Sequence, residues 1–182
     1  MKKSLLLGAI TGLLLTLNQS LSAQEETEYG KVFYAELGGP GVIISANFDS
    51  RFKTKERLGL GFRLGIGFGE GNFEEERLNQ WGYYDYVHRT YYSIPAGLNY
   101  VLGKPDSAHN FEVGAGVTFL TRKVPLYYYD EKIPGYAIGF LTFMYRMMPV
   151  NGGFSFRIGL TPIIGTAGDL FPMGAIGFGY AF

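Results

Sequence analysis

Residues 58–69 read Leu58-Gly59-Leu60-Gly61-Phe62-Arg63-Leu64-Gly65-Ile66-Gly67-Phe68-Gly69. Every second residue is large and apolar, and those between are glycine with a single arginine. That period of two belongs to a strand and not to a helix. The second face decides which kind of strand. A soluble sheet shows polar groups to water, and glycine covers a wet surface poorly. A face of glycines with one charge suits a crowded, narrow lumen. Large apolar groups outside with small or polar groups inside is the pattern of a transmembrane β-barrel strand.

The alternation recurs at 111–119 and 154–161. It recurs again at the C-terminus, where Ile176, Phe178, Tyr180 and Phe182 alternate with Gly177, Gly179 and Ala181. Eight such segments are expected, at about 31–38, 42–52, 58–70, 90–103, 110–123, 135–148, 153–165 and 172–182. The fold class predicted is all-β, an eight-stranded antiparallel transmembrane barrel. Composition agrees: 182 residues suffice for one domain, with 27 Gly, 15 Phe and 14 Tyr. The absence of cysteine excludes a disulfide scaffold and a thiolate metal site. Equal numbers of basic and acidic residues, 16 of each, give no sign of a nucleic-acid partner.

The N-terminus reads as an address. Lys2 and Lys3 precede an apolar run from Leu5 to Leu17, and Leu21-Ser22-Ala23 ends in a small residue suited to cleavage before Gln24. Residues 1–23 are therefore expected to be a cleaved secretory signal peptide, 24–30 a polar lead-in and 31–182 the barrel domain. Connections at 53–57, 104–109 and 149–152 are short; those at 71–89, 124–134 and 166–171 tend to be longer, and 38–41 is a tight turn on the long-loop side. If both termini are periplasmic, the short turns share the periplasmic rim and the long loops the extracellular one, as in outer-membrane barrels. Two features strain this scheme. Pro95 and Pro162 fall inside strands and lack the N–H that a closed barrel pairs, so bulges near the extracellular ends are expected there. Ile138, Phe140 and Thr142 share parity with Arg146; either the lumen carries bulky apolar groups or a bulge near Gly139 shifts the register, and the bulge is preferred.

Parity then assigns an interior. Glu36, Ser45, Asn47, Asp49, Arg51, Arg63, Asn99, Glu112, Thr118, Arg146 and Arg157 are predicted to face inward. Glu36, Asp49, Arg51, Arg63, Glu112, Arg146 and Arg157 are expected to form a paired polar network that plugs the lumen, since buried charges survive only when paired. An eight-stranded barrel leaves room for little else, which argues against a general porin.

The runs Glu36-Leu37-Gly38-Gly39 and Ser45-Ala46-Asn47-Phe48-Asp49-Ser50-Arg51-Phe52 resemble the opening hairpin of the small outer-membrane β-barrel proteins of Bacteroidetes-type bacteria. Residues 93–100, 112–120 and 157–162 are similar to the middle and end of that family. The resemblance implies an outer-membrane location and insertion by the outer-membrane assembly machinery. The machinery's signal typically ends in an aromatic residue, here Phe182 with Tyr180 and Phe178. No catalytic residue or cofactor comes with it.

Activity, if any, is expected in the loops. Trp81, Tyr83, Tyr84, Tyr86, Tyr127, Tyr128 and Tyr129 are candidate contacts to an extracellular glycan or protein. An interfacial aromatic girdle touching outer-membrane lipid accounts for most of these tyrosines, together with Tyr91 and Tyr92. Glu74-Glu75-Glu76 lacks the ligand rhythm of a calcium loop, so no metal is expected. His88 with Thr90 or Ser93 is the one nucleophile–base arrangement, resembling lipid A deacylases, but the spacing differs and Ser93 has lumen parity. His109 is read as a solvated turn residue. The preferred function is a structural or surface-interaction barrel and not an enzyme. The alternatives are a rim-located lipid-modifying enzyme and a soluble ligand-binding barrel.

Overall fold

The computed structural model describes residues 30–53, 56–78, 81–82, 84–123, 135–165, 168 and 170–182, without the side chains of 72–78 and 84–86. The expected signal peptide and residues 24–29 of the lead-in lie outside the described residues. So do Tyr83 and the segment holding Tyr127, Tyr128 and Tyr129.

The chain folds into a closed antiparallel β-barrel. Its strands are β1 (Lys31–Gly38), β2 (Ile44–Arg51), β3 (Gly59–Leu78), β4 (Tyr84–Gly103), β5 (His109–Leu120), β6 (Ala137–Met147), β7 (Gly153–Leu160), the two-residue β8 (Ile163–Ile164) and β9 (Leu170–Phe171), and β10 (Gly174–Ala181). Sequential strands pair from β1 to β7, β7 pairs with β10, and β10 returns to β1, with Phe33 opposite Tyr180 and Leu37 opposite Ile176. No edge is left within the barrel wall. One circuit of paired residues advances about 10 positions along β1, a shear that tilts the strands steeply to the barrel axis.

Four expectations about local structure are corrected. Residues 71–78 and 84–89 are strand and not loop: β3 and β4 each run for 20 residues and stay paired as far as Leu78–Tyr84, with one irregularity between Glu74 and Leu78. Phe73, Val87 and the tyrosines of β4 are strong strand formers, and they continue the hairpin past the barrel.

Pro95 causes no bulge. The β3–β4 ladder omits the positions opposite Gly65 and Ile66, then resumes at Gly67–Ser93 in the same register, while Pro95 stays paired with Thr118 of β5. The proline has no donor to give β3, which is where the ladder lapses, and its pairing with β5 is kept.

Pro162 interrupts β7 without shifting it. Leu160 pairs with Gly174 and Ile163 with Phe171 in one continuous count, which puts Pro162 opposite Pro172. Two facing prolines have no donors to exchange, and the ladder breaks there, bridged by Thr161 N donating to Met173 O at 2.6 Å.

β6, finally, has no bulge at Gly139. Its register with β5 is unbroken from His109–Met147 to Phe119–Ala137. Ile138, Phe140, Thr142, Met144 and Arg146 are all buried, so the lumen does carry bulky apolar groups.

Candidate functional site

The lumen holds the charge and the outer wall holds the apolar surface. Leu60, Leu64, Ile66, Phe68, Leu98, Phe119, Phe154, Ile158, Leu160 and Phe178 are among the large side chains exposed on the wall. The seven charged residues assigned inward from parity are all buried, and they form one chain. Arg51 Nη2 donates to Asp49 Oδ1 at 2.6 Å, and the same oxygen accepts from Arg146 Nη2 at 3.0 Å. Arg146 Nη1 donates to Glu112 Oε2 at 2.9 Å, and Arg157 Nη2 donates to Glu112 Oε1 at 2.8 Å. Arg157 Nε pairs with Glu36 Oε1 at 3.3 Å, and Arg63 Nη2 donates to Glu36 Oε2 at 2.7 Å. The order is Arg51–Asp49–Arg146–Glu112–Arg157–Glu36–Arg63, alternating in sign along its length. Each internal group has two opposite neighbours, the arrangement that best offsets the cost of desolvating a charge. Asn99 links the chain to itself by accepting from Arg51 at 2.6 Å and donating to Asp49. Asn47 accepts from Arg63 at 3.1 Å.

Small residues make room for these side chains. A Cβ on Gly61 would lie 2.4 Å from Arg51 Cζ, and one on Gly177 would lie 2.8 Å from Arg157 Cγ. The glycine face of residues 58–69 is therefore the space taken by neighbouring lumen side chains: Arg51 at Gly61, Asn47 at Gly65, Ser93 at Gly67 and Tyr91 at Gly69. Alternation of large and very small residues is what a lumen filled by arginines requires.

Apolar layers close the network on both sides. Toward the end of the barrel where the periplasmic rim is expected, Val32, Tyr34, Met148 and Ala181 cluster; toward the other end, Val42, Tyr91, Leu120, Ile138, Phe140 and Ile163 do. The Arg63 guanidinium lies between the two layers, 5.6 Å from the Tyr34 ring centre and 5.7 Å from that of Phe140. The Arg157 guanidinium also lies over the Tyr34 ring, 4.5 Å from its centre. Sequence reasoning placed Tyr91 in the outer girdle, yet it is buried at 1% exposure. It shares parity with Ser93, and that parity was the available signal. Tyr34 lay on the same face as Glu36 and was missed in the same way.

The turn after β1 also enters the lumen. Gly39, Pro40 and Gly41 are buried; Thr118 Oγ1 donates to Pro40 O at 2.7 Å and Ser93 Oγ to Gly41 O at 2.9 Å. Both hydroxyls project inward, so the turn folds down into the mouth instead of capping it from outside. Val42 ends the turn at φ 75°, a conformation rare for a β-branched residue. Its side chain joins the apolar layer, which holds it there.

Arg57 closes the opposite rim. Its guanidinium donates to Met148 O at 2.8 Å, Pro105 O at 2.8 Å and Ser107 O at 2.7 Å. One side chain thus ties the connection before β3 to those before β5 and β7. Partial burial, with the Arg146 charge nearby, lowers its pKa from the ordinary guanidinium value. No sequence signal distinguished it from other turn cations. His109 is not simply solvated: it opens β5, its Nδ1 lies 2.6 Å from Tyr145 Oη, and the two rings stack.

The candidate His88–Ser93 pair is not brought together, whereas His88 and Thr90 both lie beside the Glu70 carboxylate. His88 is exposed with Nε2 4.0 Å from Glu70 Oε2, while Ser93 is fully buried and engaged with Gly41. Thr90 Oγ1 donates to Glu70 Oε1 at 3.5 Å. Among the described residues no three His, Asp or Glu side chains are grouped to hold a metal ion. Trp81 is exposed at the tip of the β3–β4 hairpin, Tyr84 and Tyr86 occupy β4, and Phe178, Tyr180 and Phe182 face outward. Searches of protein-family models, of curated proteins and of solved structures find no match to this chain.

Proposed function

We propose that the chain is an integral outer-membrane β-barrel with a side-chain-plugged lumen, acting in a structural or surface-interaction role through the parts that leave the barrel on its extracellular side. The single observation carrying this reading is the inverted polarity: a buried, alternating chain of seven charged groups inside a wall of exposed Leu, Ile and Phe. In water that wall is an aggregation hazard, and in lipid it is the ordinary outer face of a barrel. A soluble ligand-binding barrel requires the opposite polarity. The signal-like residues 1–23, the shared rim of Lys31 and Phe182, where Lys31 N donates to Phe182 O at 3.3 Å, and the resemblance to small Bacteroidetes-type barrels support the same placement, with both termini periplasmic. On this reading outer-membrane lipid surrounds the wall, and Phe178, Tyr180 and Phe182 serve as the signal to the assembly machinery. The plugged lumen and the separation of His88 from Ser93 favour a non-enzymatic role over conduction or lipid hydrolysis.

Because the chain lacks cysteine, single cysteines report topology. In intact cells, a membrane-impermeant maleimide is expected to label Trp81→Cys and to label Ser107→Cys only after the outer membrane is permeabilised. Recovery of folded protein in the soluble periplasmic fraction, or equal labelling of both sites in intact cells, overturns the proposal.

A further inference from the structure

β3 and β4 are 20 residues long, whereas β2 has 8 and β5 has 12. The β2–β3 ladder ends at Ile44–Phe68 and the β4–β5 ladder at Ser93–Leu120. Pairing of β3 with β4 continues through Gly69–Tyr91, Gly71–Arg89, Phe73–Val87 and Glu74–Tyr86. The two strands therefore leave the barrel as a two-stranded ribbon about 30 Å long, at ~3.3 Å per residue.

The two edges of the ribbon differ. On the β4 side, Thr121 N donates to Tyr92 O at 3.0 Å, Tyr92 N donates to Thr121 Oγ1 at 2.9 Å, and Arg122 Nε donates to Thr90 O at 3.1 Å. Residues just past β5 thus continue the ladder where the strand stops. On the β3 side, no strand among the described residues pairs beyond Phe68. Exposed edges are usually blunted by charged side chains, lysine above all, by proline or by a bulge. Residues 69–74 hold neither proline nor lysine, and the irregularity in the ladder begins only after Glu74. Gly69 and Gly71 add no side chain to keep another backbone away.

We propose that the β3 edge from Gly69 to Glu74 accepts an extended, basic polypeptide segment as an added strand. Main-chain hydrogen bonds supply the affinity in this mode, and the flanking charge supplies the selectivity. The charge on the edge strand is predominantly acidic: Glu70 and Glu74 lie on it and Glu75 and Glu76 follow, against Arg77 next along and Arg89 on β4 opposite Gly71. A second copy of this chain is a poor occupant, because antiparallel pairing centred on Asn72 sets Glu70 of one copy opposite Glu74 of the other. A partner strand carrying Lys or Arg is drawn to the same surface. This inference rests on the surface placement proposed above.

The test uses the full chain in nanodiscs of neutral phosphatidylcholine and a fluorescent ten-residue peptide alternating lysine with valine or threonine, followed by anisotropy. Binding is expected, with about a hundredfold loss when alternate peptide nitrogens are methylated, since the six-residue edge takes about three main-chain hydrogen bonds and each is worth roughly fivefold. A loss of about tenfold is expected for the Glu74→Lys/Glu75→Lys/Glu76→Lys variant, whose barrel should retain its folded gel mobility. No binding, or binding indifferent to N-methylation, overturns strand addition. Failure to enter nanodiscs refutes the membrane reading itself, whereas normal insertion and Trp81→Cys labelling without peptide binding refute only this inference.

Discussion

Glu112→Gln weighs the lumen network directly. Glu112 is fully buried and sits at the centre of the chain, accepting from Arg146 at 2.9 Å and from Arg157 at 2.8 Å. Glutamine keeps the shape, so no cavity opens, but its amide nitrogen must face one guanidinium as a second donor. The lumen would then hold four guanidinium groups against two carboxylates. Removing one partner of a buried ion pair costs about 3–5 kcal/mol, and the expected loss of stability lies in that range. Arg51→Met provides the contrast. Arg51 is a chain end, Asp49 keeps Arg146 at 3.0 Å and Asn99, and the charge becomes balanced at three against three. That change also frees Gly59 O and Asn99 Oδ1 and is expected to cost about 1.5–3 kcal/mol, the net worth of a charged hydrogen bond. Reversible urea unfolding in lipid vesicles, followed by far-ultraviolet circular dichroism and by the gel-mobility difference between folded and unfolded chain, measures both. A Glu112→Gln loss under about 1 kcal/mol, or a larger loss for Arg51→Met, would refute the view that the network is dry and tightly coupled.

Three further outcomes follow from local geometry. Val42→Gly relieves a strained φ of 75° while forfeiting one buried side chain; the two effects, each roughly 1–3 kcal/mol, nearly cancel. Val42→Ala loses packing and keeps the strain, so the glycine variant should unfold at higher urea than the alanine variant, and the reverse ranking counts against a strained turn. In Gly116→Ala the new Cβ would stand 2.3 Å from Ala96 O and 2.4 Å from Phe140 Cζ; overpacking of this kind costs about 1–3 kcal/mol, and an unchanged urea midpoint would mean that the lumen is looser than its geometry. Leu64→Arg places a charge on the exposed wall, where a lipid-facing cation near mid-membrane costs about 2–4 kcal/mol; vesicle unfolding that shows no penalty would remove the main support for a membrane-facing wall.

Strand positions and the inward set were legible because a closed sheet makes parity global. Once Arg63 faces inward, Asp49 and Asn47 on the paired strand follow. Parity failed where chemistry was allowed to override it. Ile138 and Phe140 looked too apolar for a lumen, so a bulge was preferred at Gly139; the lumen is layered, and an apolar layer lies above the charges. The length of the β3–β4 hairpin was hidden because its composition, rich in Glu, Asn and Tyr, reads as a loop. Strand pairing beyond the barrel does not require the alternation that lipid imposes. Arg57 and the inward fold of Gly39–Gly41 were illegible for another reason. Both depend on which turns end up adjacent around the rim, and that distance is set by barrel closure and shear, not by local sequence.

The layered interior also bears on why the lumen is charged at all. In lipid, burying an apolar side chain inside the barrel gains little over leaving it on the wall, so hydrophobicity alone barely distinguishes the two faces of a strand. A slip of one residue exchanges those faces completely. With an apolar interior, such a slip in β3 would cost only packing. With Arg63 inside, it would turn a guanidinium toward lipid, at about 2–4 kcal/mol, and would leave Glu36 without the partner it has at 2.7 Å. The same holds for Asp49 in β2, Glu112 in β5, Arg146 in β6 and Arg157 in β7, each of which binds residues on other strands. Glu112 alone joins β5 to β6 and β7, so a shift of β5 breaks both of its pairs and a shift of β6 or β7 breaks one. The network therefore fixes the relative register of β1, β2, β3, β5, β6 and β7. β4 is tied in through Asn99, and β10, which carries no lumen charge, is held by its neighbours β1 and β7.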